Sequence, residues 1–261
     1  QGASSTLYGG DAIAGIINLV TKEPTTDREL IVTLNRSTLA ENNANLYYAK
    51  RWGKTGFTFF AGQTLQHAVD VDHDGLSDLP ALRSTLLHPK WVWYINARQT
   101  LTVNYSLTLD QRKGGQMDWF KTGASDSLFH TVHQSNRQNA DLHWVYQLPG
   151  NRQISFQCSG SFLDAQMKLR EYSYLAKQGL YYSEWSYHQQ KGKFDWVGGL
   201  NLNGEDFQFA SKGLLHPIPS YQQQTLGFFI QDNWKWTSRF SMETGFRLDH
   251  ISQNTWVPLP R

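Results

Sequence analysis

The residues of this chain best suited to chemistry are Asp70-Val71-Asp72-His73-Asp74-Gly75-Leu76-Ser77-Asp78. Carboxylates at alternate positions, with a glycine where the chain must turn, match the first half of an EF-hand calcium loop. Position twelve would be Ala81, so the bidentate acid is missing. Asp70, Asp72, Asp74 and Asp78 are therefore read either as a weak calcium site or as a solvated acidic loop. Nine histidines (His67, His73, His88, His130, His133, His143, His188, His216 and His250) invite a metal or haem reading. His130 and His133 share a stretch with Trp119, Phe120 and Phe129, so Trp119, Phe120, His130 and His133 are the expected ligand contacts. Cys158 is the sole cysteine, with no partner for a disulfide or a CxxC site, and reads as a small packing residue. GxSxG, HExxH and phosphate-cradling glycine loops are all missing from the sequence, so the chain is expected not to be an enzyme. An esterase or protease of the kind some smaller membrane barrels carry is the remote alternative.

The elements that must carry these residues read as strands. In 101–112, Leu101, Val103, Tyr105, Leu107 and Leu109 alternate with Thr102, Asn104, Ser106, Thr108, Asp110 and Arg112. A period of two is a strand with one apolar and one wet face. The pattern recurs around Leu30–Asn35, Ala140–Tyr146, Ile154–Phe162, Phe194–Asn203 and Phe240–Asp249, giving about eleven strands. Tight-turn chemistry lies at Gly53-Lys54-Thr55-Gly56, Asn96-Ala97-Arg98-Gln99, Pro149-Gly150-Asn151, Lys191-Gly192-Lys193 and Thr237-Ser238-Arg239. Longer linkers are expected near 70–81, 113–135, 171–180 and 205–221. Short turns at one end and long loops at the other, joined by tall strands, is the asymmetry of an outer-membrane barrel.

Composition agrees. Trp 10, Tyr 12 and Phe 14 make the chain 14% aromatic, yet mean hydropathy is -0.53 and only 18% is charged. Trp91, Trp93, Tyr94, Trp144, Tyr146, Trp196, Trp234 and Trp236 fall near short turns, as an aromatic belt at a lipid boundary would. With 24 basic and 22 acidic residues the net charge is +2, which offers no field for nucleic acid. The sequence holds no run of ~18 apolar residues for a helical span, but a barrel strand needs only about 9–11 alternating ones.

Residues 1–27 do not follow this register. Gly9, Gly10 and Gly15 suit tight turns, Asp11 could cap a short segment, and Gly15–Val20 reads as a buried strand, with Pro24-Thr25-Thr26-Asp27 as a polar linker. The run Ala3–Lys22 resembles the end of the plug domain of TonB-dependent outer-membrane receptors, which commonly close with Ser-Leu-Tyr-Gly, then Ala-Ile-Gly-Gly-Val-Ile-Asn-Ile, then Thr-Lys. Phe228-Phe229-Ile230-Gln231-Asp232-Asn233-Trp234 with Gly245-Phe246-Arg247-Leu248-Asp249 is similar to a strand pair found mid-barrel in the same family.

That resemblance implies an all-β fold. Residues 1–27 would be the C-terminal end of the plug and its linker, and 28–261 the N-terminal half of a transmembrane antiparallel β-barrel of about 22 strands. The chain is thus expected to be an internal fragment, its TonB box lying upstream. The resemblance implies active uptake of a scarce nutrient (an iron–siderophore, haem or cobalamin) across the outer membrane of a Gram-negative bacterium. The implied partners are TonB, a small metal-chelate or cobalamin-like substrate and outer-membrane lipid. The wet face, with Arg36, Arg51, Asp110, Arg112, Asp141, Glu243, Arg247 and Asp249, is expected to line the lumen and hold the plug. No cofactor is expected beyond calcium in an extracellular loop. A passive porin and a soluble β-sandwich carbohydrate-binding protein are the alternatives.

Overall fold

The computed structural model describes residues 21–122, 127–169, 171–213, 218–237, 240–252 and 255–260. The glycine-rich opening 1–20, with its expected last plug strand, lies outside the described residues.

Twelve antiparallel strands follow one another in a single sheet, each paired with its neighbours in sequence. They are β1 (Glu29–Arg36), β2 (Glu41–Trp52), β3 (Thr55–Gln66), β4 (Ala81–Asn96), β5 (Gln99–Gly115), β6 (His130–Leu148), β7 (Arg152–Leu169), β8 (Tyr172–Lys191), β9 (Phe194–Lys212), β10 (Tyr221–Lys235), β11 (Ser241–Ile251) and β12 (Thr255–Pro260). Among the described residues one helix, α1 (Met117–Thr122), stands between β5 and β6. β5 to β9 run 17 to 20 residues, far beyond the ~5–6 of an ordinary globular strand. Such height rules against the sandwich alternative and suits a wall that crosses a bilayer and continues above it.

Short turns close one end. At β6–β7 the three-residue turn 149–151 is closed by the Leu148–Arg152 pair, and Gly150 (φ 79°) and Asn151 (φ 54°) both adopt the left-handed region that glycine and asparagine favour. The longest connections lie at the other end, where 67–80 carries the acidic loop and 116–129 carries α1, beside the short links from β1 to β2 and from β7 to β8.

The linker identifies the inner face. Thr21 Oγ1 accepts a hydrogen bond from Lys90 Nζ at 3.0 Å, Thr25 O accepts from Arg51 N at 2.7 Å, and Pro24 sits where a Cβ on Gly56 would fall 2.4 Å from its Cγ. Lys22 hydrogen-bonds Glu29, which holds its ammonium pKa above the usual value. Carried through the register, this face takes Thr58 (β3), Lys90 (β4), Asn104 (β5), Asp141 (β6), Ser159 (β7), Tyr182 (β8), Asn203 (β9) and Thr225 (β10). Nearly all are polar.

The opposite parity is apolar through the middle of the wall. Leu101 to Leu109 spans ~27 Å of strand at ~3.4 Å per residue, or ~21 Å along the membrane normal at a tilt of ~40°, close to the ~25 Å lipid band of such walls. Near the short turns the outward rings touch one another: Phe57–Trp91 at 5.2 Å, Phe156–Trp185 at 4.5 Å, Tyr187–Trp196 at 5.2 Å and Phe194–Trp234 at 5.1 Å. This is the expected belt, placed where amphipathic rings favour the lipid–water boundary. Cys158 is half-buried in the outward band between Leu142 and Ser183.

Four expectations need correction. Twelve strands among the described residues replace about eleven, the addition being β12, whose Pro258 and Pro260 read against a strand. The linkers expected at 171–180 and 205–221 are largely strand, because β8 begins at Tyr172 and β9 runs to Lys212. Above the lipid band the outward positions become polar, Lys177, Asp206 and Gln208 among them, so the apolar–polar alternation fades while pairing continues. The linker expected at 113–135 shortens to 116–129, which puts His133 on β6. Arg36 does not line the lumen: it opposes Asn42 and shares the outward parity of Leu30, Val32 and Leu34.

The two-faced register has a direct test. In bilayers, Leu107→Arg is expected to lower unfolding free energy by about 2–4 kcal/mol, whereas inward Thr102→Arg should stay within ~1 kcal/mol of the parent. Equal costs would refute the assigned faces.

Candidate functional site

Chemistry on the inner wall concentrates at two heights. In the body of the wall, Arg247 Nε lies 2.8 Å from Asp249 Oδ1, and Arg247 Nη2 donates to Asn201 Oδ1 at 3.2 Å. Arg247 is 2% exposed, so its charge needs the carboxylate and amide partners. The three side chains fold across Gly227, where a Cβ would come within 2.3 Å of Asn201 Oδ1 and 2.6 Å of both Arg247 Nη2 and Asp249 Oδ1. Phe229, 1% exposed, places its ring edge over Gly199 in the same manner. Two glycines thus let a layer of large side chains lie flat on the strands. Along β8 and β11 the layer continues with Tyr182 donating to Glu184, and Gln231 Nε2 donating to Glu243. It is a densely packed, hydrogen-bonded surface in which Gln231 Oε1 stays buried without a partner among the described residues.

The long-loop end offers open groups. Carboxylate oxygens of Asp70, Asp72 and Asp78 lie within 4.8 Å of one another. Asp74, expected as a fourth ligand, is not in that group, and its Oδ1 accepts from Leu76 N at 2.7 Å. Asp78 Oδ2 accepts from Val71 N and Asp70 Oδ2 from Gly75 N, while Asp70 Oδ1 is buried with no protein partner among the described residues. Oxygen ligands of this kind could hold a hard divalent cation.

The four expected ligand contacts do not form one group. Trp119 stacks on His130 at 4.7 Å with an interplanar angle of 5°, and Phe120 meets Trp119 edge-on at 5.0 Å. His130 Nδ1 lies 2.9 Å from Leu128 O, consistent with donation to that carbonyl. His133, three positions on, takes the opposite parity and lies on the inner wall opposite Arg112.

A second group of rings escaped the sequence reading. Tyr172, Tyr174, Phe207 and Phe209 all face inward near the tops of β8 and β9. Tyr174 stacks with Phe209 at 5.6 Å, Phe207 with Phe209 at 6.3 Å, and Phe207 meets Tyr221 at 5.4 Å. With Met167, Leu169 and Ile218 they bound an apolar hollow of about 650 Å³. Tyr221 OH donates to Glu205 at 2.7 Å, and Gln178 Nε2 donates to the same carboxylate at 2.6 Å, which fixes the polar floor beside it. The signal was present as Tyr-x-Tyr and Phe-x-Phe, but inside segments read as loops.

A tall antiparallel wall with a lipid-facing band, an aromatic belt, a polar interior and a ring-lined mouth defines a transmembrane barrel of the outer-membrane receptor class. The comparisons narrow it. Residues 21–261 match the family described as TonB dependent receptor-like, beta-barrel, and the chain belongs to that family. It is 22% identical over 256 residues to the iron-regulated outer membrane virulence protein of Vibrio cholerae serotype O1, covering 96% of this chain and 38% of that protein. Among solved structures it is similar in fold to the ferric-catecholate import receptor Fiu from E. coli K12, with TM-score 0.74, 14% identity and coverage of 96% of this chain and 45% of that one. The ferric yersiniabactin uptake receptor FyuA from Yersinia pestis gives TM-score 0.73 at 15% identity, covering 98% and 46%. The chain therefore spans less than half the length of each. The family is one of outer-membrane receptors rather than enzymes.

Two measurements check the site. Gly227→Ala is expected to displace the Arg247–Asp249–Asn201 layer and cost about 1–3 kcal/mol, read as a fall in the unfolding midpoint of the full receptor. Calorimetric titration of calcium into that receptor should give a binding signal that Asp72→Asn abolishes. A flat titration of the parent would leave the acidic loop as turn caps alone.

Proposed function

We propose that this chain is the ligand-gathering part of the wall in a receptor that takes up a ferric chelate bearing aromatic groups, energised through TonB. The observation that carries the reading is the ring-lined hollow at the inner mouth of β8–β10. Offset-stacked and edge-on ring pairs are worth ~0.5–1.5 kcal/mol each beyond area burial, so a chelator with phenolate or catecholate rings gains at such a surface more than an aliphatic one does. The Vibrio cholerae relative is named for iron regulation, and the two solved receptors are named for ferric catecholate and ferric yersiniabactin import; these names support iron as the cargo. His133 beside Arg112 on the inner wall is proposed as a further contact on the path inward, with Trp119, Phe120 and His130 at the top of β5–β6 as contacts at the outer rim. The ferric ion is cargo here, not a resident cofactor. The plug and the energising partner are what the resemblance of residues 1–22 implies. A plug would set the receptor apart from an open porin.

The test is equilibrium binding to the full receptor with two probes, a ferric tris-catecholate and a ferric tris-hydroxamate. Phe207→Ala and Tyr174→Ala are expected to weaken the catecholate about tenfold each and to leave the hydroxamate unchanged. Parent-like affinity in both variants, or tighter binding of the hydroxamate by the parent, would overturn the reading.

A further inference from the structure

From Phe207 toward the short turns, the inner face of β9 passes from apolar to acidic in a single step. The next inward residue is Glu205, directly opposite Gln223 on β10. With Asp141, Ser159, Tyr182, Tyr221 and Gln223 it lines a second hollow, of about 710 Å³. The ring-lined hollow and this polar one meet at the Phe207–Tyr221 pair, whose ring centroids are 5.4 Å apart.

Glu205 is held in place. Tyr221 OH and Gln178 Nε2 both donate to its Oε1, at 2.7 and 2.6 Å, and in the register these two donors flank Phe207, one on β10 and one on β8. Both bonds fall on one oxygen, which leaves Oε2 with no hydrogen bond from the described residues. Both donors are neutral, so neither offsets the charge. Asp141, on the β6 side of the hollow, is bonded by another neutral group, Asn104 Nδ2, and the lining contains no Lys or Arg. Of the inward cations on either side, Arg137 stands three strands away on β6 and Arg247 is taken by Asp249.

A carboxylate preset by neutral donors, with one oxygen open beside aromatic faces, favours a hydrogen-bond donor that carries positive charge. Charge-assisted bonds are roughly twice as strong as neutral ones, and the faces of Tyr182 and Tyr221 attract a cation. Fixing the acceptor beforehand lowers the ordering cost of binding. A hydroxyl group would gain the hydrogen bond without the charge or the ring faces.

We propose that Glu205 is a specificity-determining contact of the cargo site, taking through Oε2 a protonated amine that the chelate carries close to its aromatic groups. This contact depends on the ring-lined mouth receiving the cargo, and it narrows the cargo to an aromatic ferric chelate with a cationic arm. Phe207 and Tyr174 meet the rings, and Glu205 reads the charge beside them.

The experiment is equilibrium binding to the full receptor of two ferric tris-catecholates that differ in one respect: the backbone of one bears protonated primary amines, and in the other those amines are acetylated. The parent should bind the amine probe about tenfold more tightly. Glu205→Gln keeps the shape of the side chain and removes its charge, and should bring the two probes to equal affinity. Gln223→Lys sets a cation directly opposite an intact Glu205; it should equalise the probes too, and serves should Glu205→Gln fail to fold. Phe207→Ala should weaken both probes alike and keep their ratio. Equal affinity of the two probes for the parent, with Phe207→Ala still weakening both, would overturn the amine contact alone. Parent-like binding of both probes by Phe207→Ala would overturn the ring-lined mouth and the amine contact with it. A tenfold preference that persists in folded Glu205→Gln and Gln223→Lys would place the amine elsewhere and refute the role of Glu205.

Discussion

A bilayer offers backbone amides no water, so every N–H and C=O that crosses it must find a partner within the wall. In this chain that demand is met by strands paired in sequence order over their whole length, including the stretches of β5 to β9 that rise past the lipid. Once the register is set, a period of two assigns each residue to hydrocarbon or to the bore, and a slip of one residue would exchange the two. The hydrophobic driving force therefore acts on one parity only. The other parity is free to carry amides, hydroxyls and charges, and the Arg247–Asp249–Asn201 layer is what that freedom permits.

The same strands do different work at different heights. Within the lipid, outward side chains are apolar and end in contacting rings near the short turns. Above the lipid the outward constraint lapses and polar groups take its place, while inward positions turn from small polar residues to the rings of Tyr172, Tyr174, Phe207 and Phe209. Continuing the pairing upward, instead of breaking into loops, places the rings on a rigid scaffold rather than on mobile connections.

Much of this was legible in the sequence, and the physical reason is the bilayer itself. Alternation at 101–109, 140–146 and 194–202 is imposed by lipid on one side, so fold class, faces and belt followed from composition and period. Where the lipid stops, so does the signal. The tops of β6, β8 and β9 looked like loops, which misplaced His133 on β6 and hid Tyr174 and Phe207 on β8 and β9. Arg36 was put on the wet face by its charge, against its own parity with Leu34. Gly227 and Gly199 carry no local mark of the side chains lying across them.

Site-directed spin labels read by collision with oxygen and with a polar nickel chelate test the central claim most directly. In the full receptor in bilayers, labels at 103, 105 and 107 should collide preferentially with oxygen, and labels at 102, 104 and 106 with the nickel chelate or with neither. Preferential collision of the odd-numbered set with the chelate would place water where this account requires acyl chains, and the wall as described here would be wrong.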